Sequence, residues 1–516
     1  MVYGVSFRYV QTVAQSRLKV GVIMKKRVSG ILMPISALPG NYGIGDFGKG
    51  AYDFVDFMEK SGQKNWQILP LGITGYGDSP YQSFSAYAGN PYFIDLREFI
   101  EKSYLTEDDI REIDLGQDNN WVDYGKLYFN KYPLLRKAFE RAYEDIRGDL
   151  EDYYLRNNQW LREFVLFMAI KEQNQGKSWL LWDDKYKNYN SEEVNIFERE
   201  NKKTIDFWVF TQYYFQKQWL KLKEYANSKD IKIIGDLPIY VSEDSSDVWA
   251  HPEYFKLDED FVPITVAGVP PDYFTATGQL WGNPIYDWDV LDERGYDFWI
   301  KRVEHSFNIY DILRIDHFRG FEAYWEVPYG SENAVNGRWV KGPGLKLFTA
   351  IKEALGDLDI IAEDLGFQTP EVVQLIEDTG FPGMKILQFA FDPNGDSDYL
   401  PHNHNRNSIV YTGTHDNKTV RDWYETAPEE ELKFAVKYLK LDEVEGYSWG
   451  LIRGAWSSNA YLAIAQIQDF LDLGEEGRMN TPSTLGNNWT WRVDKDTIND
   501  DLSNRIKELT LLYRRG

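Results

Sequence analysis

Asp316 closes the run Ile312-Leu313-Arg314-Ile315-Asp316. Side chains alternate along an extended strand, so Arg314 and Asp316 project from the same face. A guanidinium two residues from a carboxylate holds it ionised and fixes its orientation. Capping of the next helix is the competing role for Asp316, but capping gives no reason for an arginine on the same face of a buried strand. Glu363 follows Ile360-Ile361-Ala362. Burial behind apolar residues favours the neutral form of a carboxyl and suits it to general-acid work; a surface carboxylate at a loop entrance would look the same in sequence. Asp416 lies in Gly413-Thr414-His415-Asp416-Asn417, where small residues permit close approach ahead of a cluster of donors and acceptors. An ordinary Asx turn is the alternative there. Asp236, after Ile233-Ile234-Gly235, repeats the theme.

Each of these acids lies in or just after a short apolar run, and eight such runs recur along the chain: 30–34, 66–70, 231–238, 312–317, 360–364, 384–389, 408–412 and 463–470. Short continuous apolar runs are the signature of strands buried on both faces of a parallel sheet. Eight of them separated by helical pattern predict a closed (β/α)8 TIM barrel, in which functional side chains gather at the C-terminal strand ends. The expected fold class is therefore α/β, with helical and loop-rich insertions and no C-terminal β domain. The stretch 97–230 is far longer than the ~10–12 residues that a crossover needs, and its pattern predicts an inserted helical subdomain. Residues 240–290, rich in Pro, Gly and aromatics, are expected to form irregular lid-like loops. Residues 27–516 are taken as one catalytic domain behind an N-terminal extension, 1–26, in which Met24 before Lys-Lys-Arg reads as an alternative start.

Composition narrows the partners. Acidic residues number 81 against 57 basic, a net charge of −24, which repels nucleic acid, anionic lipid and polyanionic substrates. No run approaches the ~18 apolar residues of a membrane span, and the N-terminus lacks the apolar core of a signal peptide, so the expected location is cytoplasmic. The absence of cysteine rules out disulfides, thiolate nucleophiles and Cys-based metal sites. His402-Asn403-His404 sits in a Pro/Asn-rich loop with no further histidines to complete a zinc shell. The loop Asp392–Asp398 starts like a calcium loop but lacks its sixth-position Gly and twelfth-position acid. No metal and no cofactor are expected. Aromatics make up 16% of the chain, with 18 Trp and 35 Tyr; flat rings suit the C–H patches of a neutral glycan, although filling a large core accounts for them equally well.

Five motifs together carry a resemblance: Ser79-Pro80-Tyr81-Gln82, Gly235-Asp236-Leu237-Pro238-Ile239-Tyr240-Val241, Arg314-Ile315-Asp316-His317-Phe318-Arg319-Gly320, Ala362-Glu363-Asp364-Leu365-Gly366 and Gly413-Thr414-His415-Asp416-Asn417. In this order they resemble the amylomaltases, the 4-α-glucanotransferases of glycoside hydrolase family 77, related to the α-amylases. Val269-Pro270-Pro271-Asp272-Tyr273-Phe274, Gly278-Gln279-Leu280-Trp281-Gly282-Asn283-Pro284 and Asn480-Thr481-Pro482-Ser483-Thr484 are similar to the same family. The resemblance implies retaining transfer of α-1,4-glucan segments from a maltooligosaccharide or starch donor to the 4-OH of a glucan or glucose acceptor. An α-amylase-type hydrolase is the alternative. By the same resemblance Asp316 is the nucleophile, Glu363 the acid/base and Asp416 the transition-state stabiliser. Tyr81, Asp236, Arg314 and His415 surround the cleaved sugar, His317 also binds substrate, and Asp272, Phe274, Gln279, Trp281 and Asn283 line the acceptor side. Retention by double displacement needs the two working carboxyls about 5–5.5 Å apart. Oligomeric state is not legible.

Overall fold

The computed structural model describes residues 26–516 apart from 76, 117, 119, 272–274 and 367. Along them run twelve strands: β1 (Val28–Leu32), β2 (Asn65–Gln67), β3 (Lys232–Leu237), β4 (Thr265–Val269), β5 (Gln279–Pro284), β6 (Ile312–Ile315), β7 (Ala323–Pro328), β8 (Arg338–Lys341), β9 (Ile360–Ala362), β10 (Gly383–Ile386), β11 (Ser408–Tyr411) and β12 (Leu462–Gln466). Eight of them form one sheet in the order β10-β11-β12-β1-β2-β3-β6-β9, with every neighbouring pair parallel. The two ends meet: Ala362 N donates to Pro382 O at 3.0 Å, and Met384 N donates to the Asp364 carboxylate at 2.7 Å. This is a (β/α)8 barrel, and all eight apolar runs read from the sequence fall on its strands.

Alternation along the strands builds two cores. Leu32, Ile234, Ile312, Ile361, Met384, Ile386, Ile409, Tyr411 and Ile464 point inward and fill the barrel. Their neighbours of opposite parity, including Ile31, Ile233, Leu313, Ile360, Val410 and Ala463, belong to the larger core between strands and helices. The inward parity carries on past the apolar residues: Ile234 leads to Asp236, Ile312 to Arg314 and Asp316, Ile361 to Glu363. The same pattern that packs the barrel therefore aims the acids over its top. Gly235 stands within β3 for a steric reason, since a β-carbon there would lie 2.2 Å from the Tyr310 ring.

Between β2 and β3 lie two long helices, Tyr124–Gln173 and Lys202–Ser228, in the region where the sequence predicts helix. The first continues through Pro133, whose missing N–H breaks one intrahelical bond. The second reaches the barrel loops through buried glutamines. Gln212 accepts from Gly89 N at 2.8 Å and donates to Gly89 O at 2.9 Å; Gln218 accepts from Asp95 N at 2.8 Å. These bonds anchor the loop after β2, which carries the Ser-Pro-Tyr-Gln motif.

The stretch 240–290 departs from the irregular loops expected of it. It contributes β4 and β5 to a four-stranded antiparallel sheet of order β5-β4-β7-β8. Its Gly and Pro fit because β5, Gln279-Leu280-Trp281-Gly282-Asn283-Pro284, is an edge strand. No helix among the described residues is long and apolar enough to cross a membrane.

Candidate active site

Arg314 organises the top of the barrel. Its side chain is 3% exposed. From β6 it donates to both oxygens of Asp236, its lateral partner on β3, at 2.6 and 2.7 Å, and to Asp316 Oδ1 at 3.1 Å. The shared face read from the sequence is thus observed. Two acids beside a buried guanidinium hold it firmly charged, against the cost of burial. Asp236 also accepts from the Tyr81 hydroxyl at 2.8 Å. Tyr81 O–H lies 2.9 Å from His415 Nε2, and that nitrogen lies 3.3 Å from Asp416 Oδ2. A continuous polar chain therefore runs Asp316–Arg314–Asp236–Tyr81–His415–Asp416 around the rim.

Glu363 reaches the cluster from β9, the neighbour of β6. Backbone bonds lock the two strand ends together: Glu363 N donates to Ile315 O at 3.1 Å and Phe318 N to Glu363 O at 2.9 Å. His317, with φ +49°, turns its backbone N–H onto Glu363 Oε2 at 2.6 Å. The two carboxyls thus follow hydrogen-bonded neighbouring strands.

The three acids differ in their hold on a proton. Burial pushes Asp316 up to about 6 although Arg314 opposes it. Burial raises Glu363 well above the usual range, with Asp316 adding to the effect against Arg314 and the His317 N–H. Asp416 goes the other way: burial is outweighed by His415 and by the Asn480 amide, which donates at 2.6 Å, and the acid falls to about 2. Burial opposes charge on His415, but Asp416 reverses that and raises it. His317, buried and near Arg319, is pushed down to about 3 and stays neutral. One site thus holds a firmly ionised acid, an intermediate one and a proton-retaining one, the separation that divides acid and base roles between like groups.

On the other side of the cleft, Trp281 of β5 stands edge-on to His317, with ring centroids 4.8 Å apart. Gln279 Oε1 accepts from its indole N–H at 3.1 Å. Asn283 is 5% exposed and is spent on the protein itself, donating to Val241 O at 2.9 Å and accepting from Gln82 at 3.0 Å. Asp272 and Phe274 lie outside the described residues, as do residues 1–25. Sequence reasoning assigned no role to Gln82, Asn480 or Arg478, the last of which donates to Asp416 O at 3.3 Å. Asn480 and Gln82 stand inside motifs already noted, but nothing local ties them to distant partners. Among the described residues no group of three or more His, Asp or Glu is gathered to hold a metal ion. His402 and His404 bond instead to Tyr438 Oη at 2.7 Å and Tyr399 O at 2.8 Å.

Comparison with known proteins agrees with this arrangement. The family described as 4-alpha-glucanotransferase matches residues 33–497. A 4-alpha-glucanotransferase of Clostridium butyricum is 52% identical over 485 residues, 94% of this chain and 100% of the relative. One of Thermus thermophilus is 46% identical over 494 residues, 94% of this chain and 98% of the relative. Among solved structures, an amylomaltase from Streptococcus agalactiae in complex with acarbose superposes with a TM-score of 0.93 at 45% identity, covering 95% of this chain and 100% of that one. With its motifs, barrel and near-complete coverage by such relatives, this chain belongs to the 4-alpha-glucanotransferase family.

Proposed function

We propose that the chain moves α-1,4-glucan segments between maltooligosaccharides or starch chains by a retaining double displacement, with Asp316, Glu363 and Asp416 as its working acids. The observation that carries this reading is the geometry of the barrel top: Asp316 and Glu363 follow neighbouring strands, and Arg314, Asp236, Tyr81 and His415 link Asp316 to Asp416 in one polar chain. Asp316 Oδ attacks the anomeric carbon of the donor while Glu363 gives its proton to the departing O4, leaving a covalent glucosyl ester and a free shortened chain. Glu363, now ionised, takes the proton from an acceptor's 4-OH, which attacks the same carbon and releases Asp316. Asp416, ionised throughout and fixed by Asn480 and His415, offsets positive charge developing on the sugar in both steps. Asp236, Tyr81, Arg314 and His415 hold the cleaved residue in place. Trp281, Gln279 and His317 shape the acceptor side and shield the ester from water, and Asn283 braces them through Gln82. Glucose and maltooligosaccharides are the proposed acceptors. No cofactor enters this reading.

The test is incubation of maltotriose with labelled glucose. Transfer gives a ladder of longer and shorter oligosaccharides with label entering the ladder. Shorter products alone, with unlabelled oligosaccharides, would leave a hydrolase and overturn the proposal. Asp316→Asn should abolish the ladder while sugar binding survives; near-normal turnover in that variant would remove Asp316 from the nucleophile role.

A further inference from the structure

Asp469 is a buried acid that the reaction above does not use. It lies in the short helix Ile467–Phe470 that follows β12 and is 0% exposed. Its two oxygens reach the two ends of one loop. Thr412, just past β11, donates its hydroxyl to Asp469 Oδ2 at 2.5 Å. Val420, the first residue of the helix Val420–Thr426, donates its backbone N–H to Asp469 Oδ1 at 2.8 Å. Between these two anchors runs the loop that carries His415 and Asp416.

The rest of the loop is tied through its backbone as well. Lys418 O accepts from Gln388 Nε2 at 2.8 Å. Asn417 Oδ1 accepts from Thr414 N at 2.8 Å and from the Thr414 hydroxyl at 2.9 Å, which folds the crown of the loop. The Asp416 side chain is 45% exposed. A carboxylate that open takes its place from the backbone beneath it, and Asp469 fixes that backbone at both ends. Capping of the following helix does not account for Asp469, because Thr419 already caps it, its hydroxyl accepting from Asp422 N at 3.2 Å. Nor is the acid there for charge: burial outweighs both bonds and pushes its carboxyl up to about 7.

We infer that Asp469 is a positioning residue for Asp416, tying both ends of the loop 412–420 to the end of β12 so that Asp416 meets the sugar in register with Asp316 and Glu363. This inference rests on the function proposed above. Asp416 acts there on charge that develops only in the transition state, so a loosened loop lowers kcat and leaves KM nearly in place.

The experiment measures kcat and KM for maltotriose disproportionation by the full chain, per mole of protein shown to be folded by circular dichroism. Asp469→Leu, which fills the space but loses both bonds, should lower kcat by about tenfold or more, toward the roughly hundredfold that a displacement of about 1 Å costs, while KM moves by less than about threefold. Asp469→Asn should keep most of the native kcat. Its amide oxygen still accepts from Val420 N–H, and its NH₂ donates to the Thr412 hydroxyl, which accepts as readily as it donates. Thr412→Val removes one anchor and should lower kcat by about threefold, with Thr412→Ser restoring it; this pair decides the matter if Asp469→Leu does not fold. A native kcat in folded Asp469→Leu, or in Thr412→Val where the Leu variant does not fold, overturns the inference, as does an Asn variant as impaired as Leu. No ladder from the native enzyme overturns the proposed function and this inference with it.

Discussion

Replacing Arg314 by Gln tests the electrostatics of the site most directly. The guanidinium lies 3.1 Å from Asp316 Oδ1. At an effective dielectric of about 20, unit charges so placed attract by about 5 kcal/mol, an upper bound because the Asp316 side chain is 26% open to the cleft. Neighbouring cations typically move a carboxyl by about 1–3 units. Asp316, at about 6 with Arg314 present, should then titrate at about 7–9 without it. As the proposed nucleophile, Asp316 works only when ionised, so kcat/KM is present above this value and is lost as pH falls through it. The acid limb of the kcat/KM profile should therefore move up by at least one unit. If the shift is about two units, activity at pH 7 drops about tenfold from protonation alone. The assay is kcat/KM from pH 5 to 9, on protein shown to be folded by circular dichroism, since Asp236 loses its charge partner too. An acid limb that stays in place, or moves down, refutes this account of the site.

Three further outcomes follow from the geometry. Glu363 titrates above its unfolded value, so its contribution to stability falls as pH rises from about 4 toward its folded pKa; Glu363→Gln should raise the melting temperature at pH 7 but not at pH 4, while abolishing transfer, and a lower melting temperature at pH 7 would contradict it. Trp281→Gly uncovers His317 and should raise the hydrolysis-to-transfer ratio several-fold, read from glucose release against ladder formation, whereas an unaltered ratio counts against shielding. Gly235→Ala places a methyl against Tyr310 and should destabilise the fold by about 1–3 kcal/mol, seen as a lower urea midpoint; a midpoint matching the native one would show that the ring yields freely.

The barrel was legible because its strands are buried on both faces, which leaves short apolar runs ending in polar or turn residues; the apolar run 164–170 lies inside a long helix instead. Parity then carried the reading from Ile312 to Arg314 and Asp316. The antiparallel sheet was not legible, for two reasons. β5 breaks its pattern with Gly282 and Pro284, tolerable only at an edge, and β4 finds its second partner, β7, beyond β6. The site divides along the same line. Residues at strand ends, Asp236, Asp316 and Glu363, announced themselves by position. Asn480, Arg478 and Gln82 act through contacts with distant loops, and no local pattern marks such contacts. Asn283 illustrates the converse: its motif pointed to the acceptor side, but burial turned its amide toward Val241 and Gln82.

The hydrogen-bonded adjacency of β6 and β9 bears on stereochemistry. Neighbouring strands lie roughly 4.8 Å apart, close to the roughly 5–5.5 Å that a retaining pair of carboxyls requires. Two strands apart, the separation would be roughly 9.6 Å, near the upper end of the range in which a water fits between the groups and configuration inverts. For the pair proposed as nucleophile and acid/base, placement on adjacent strands agrees with retention of configuration.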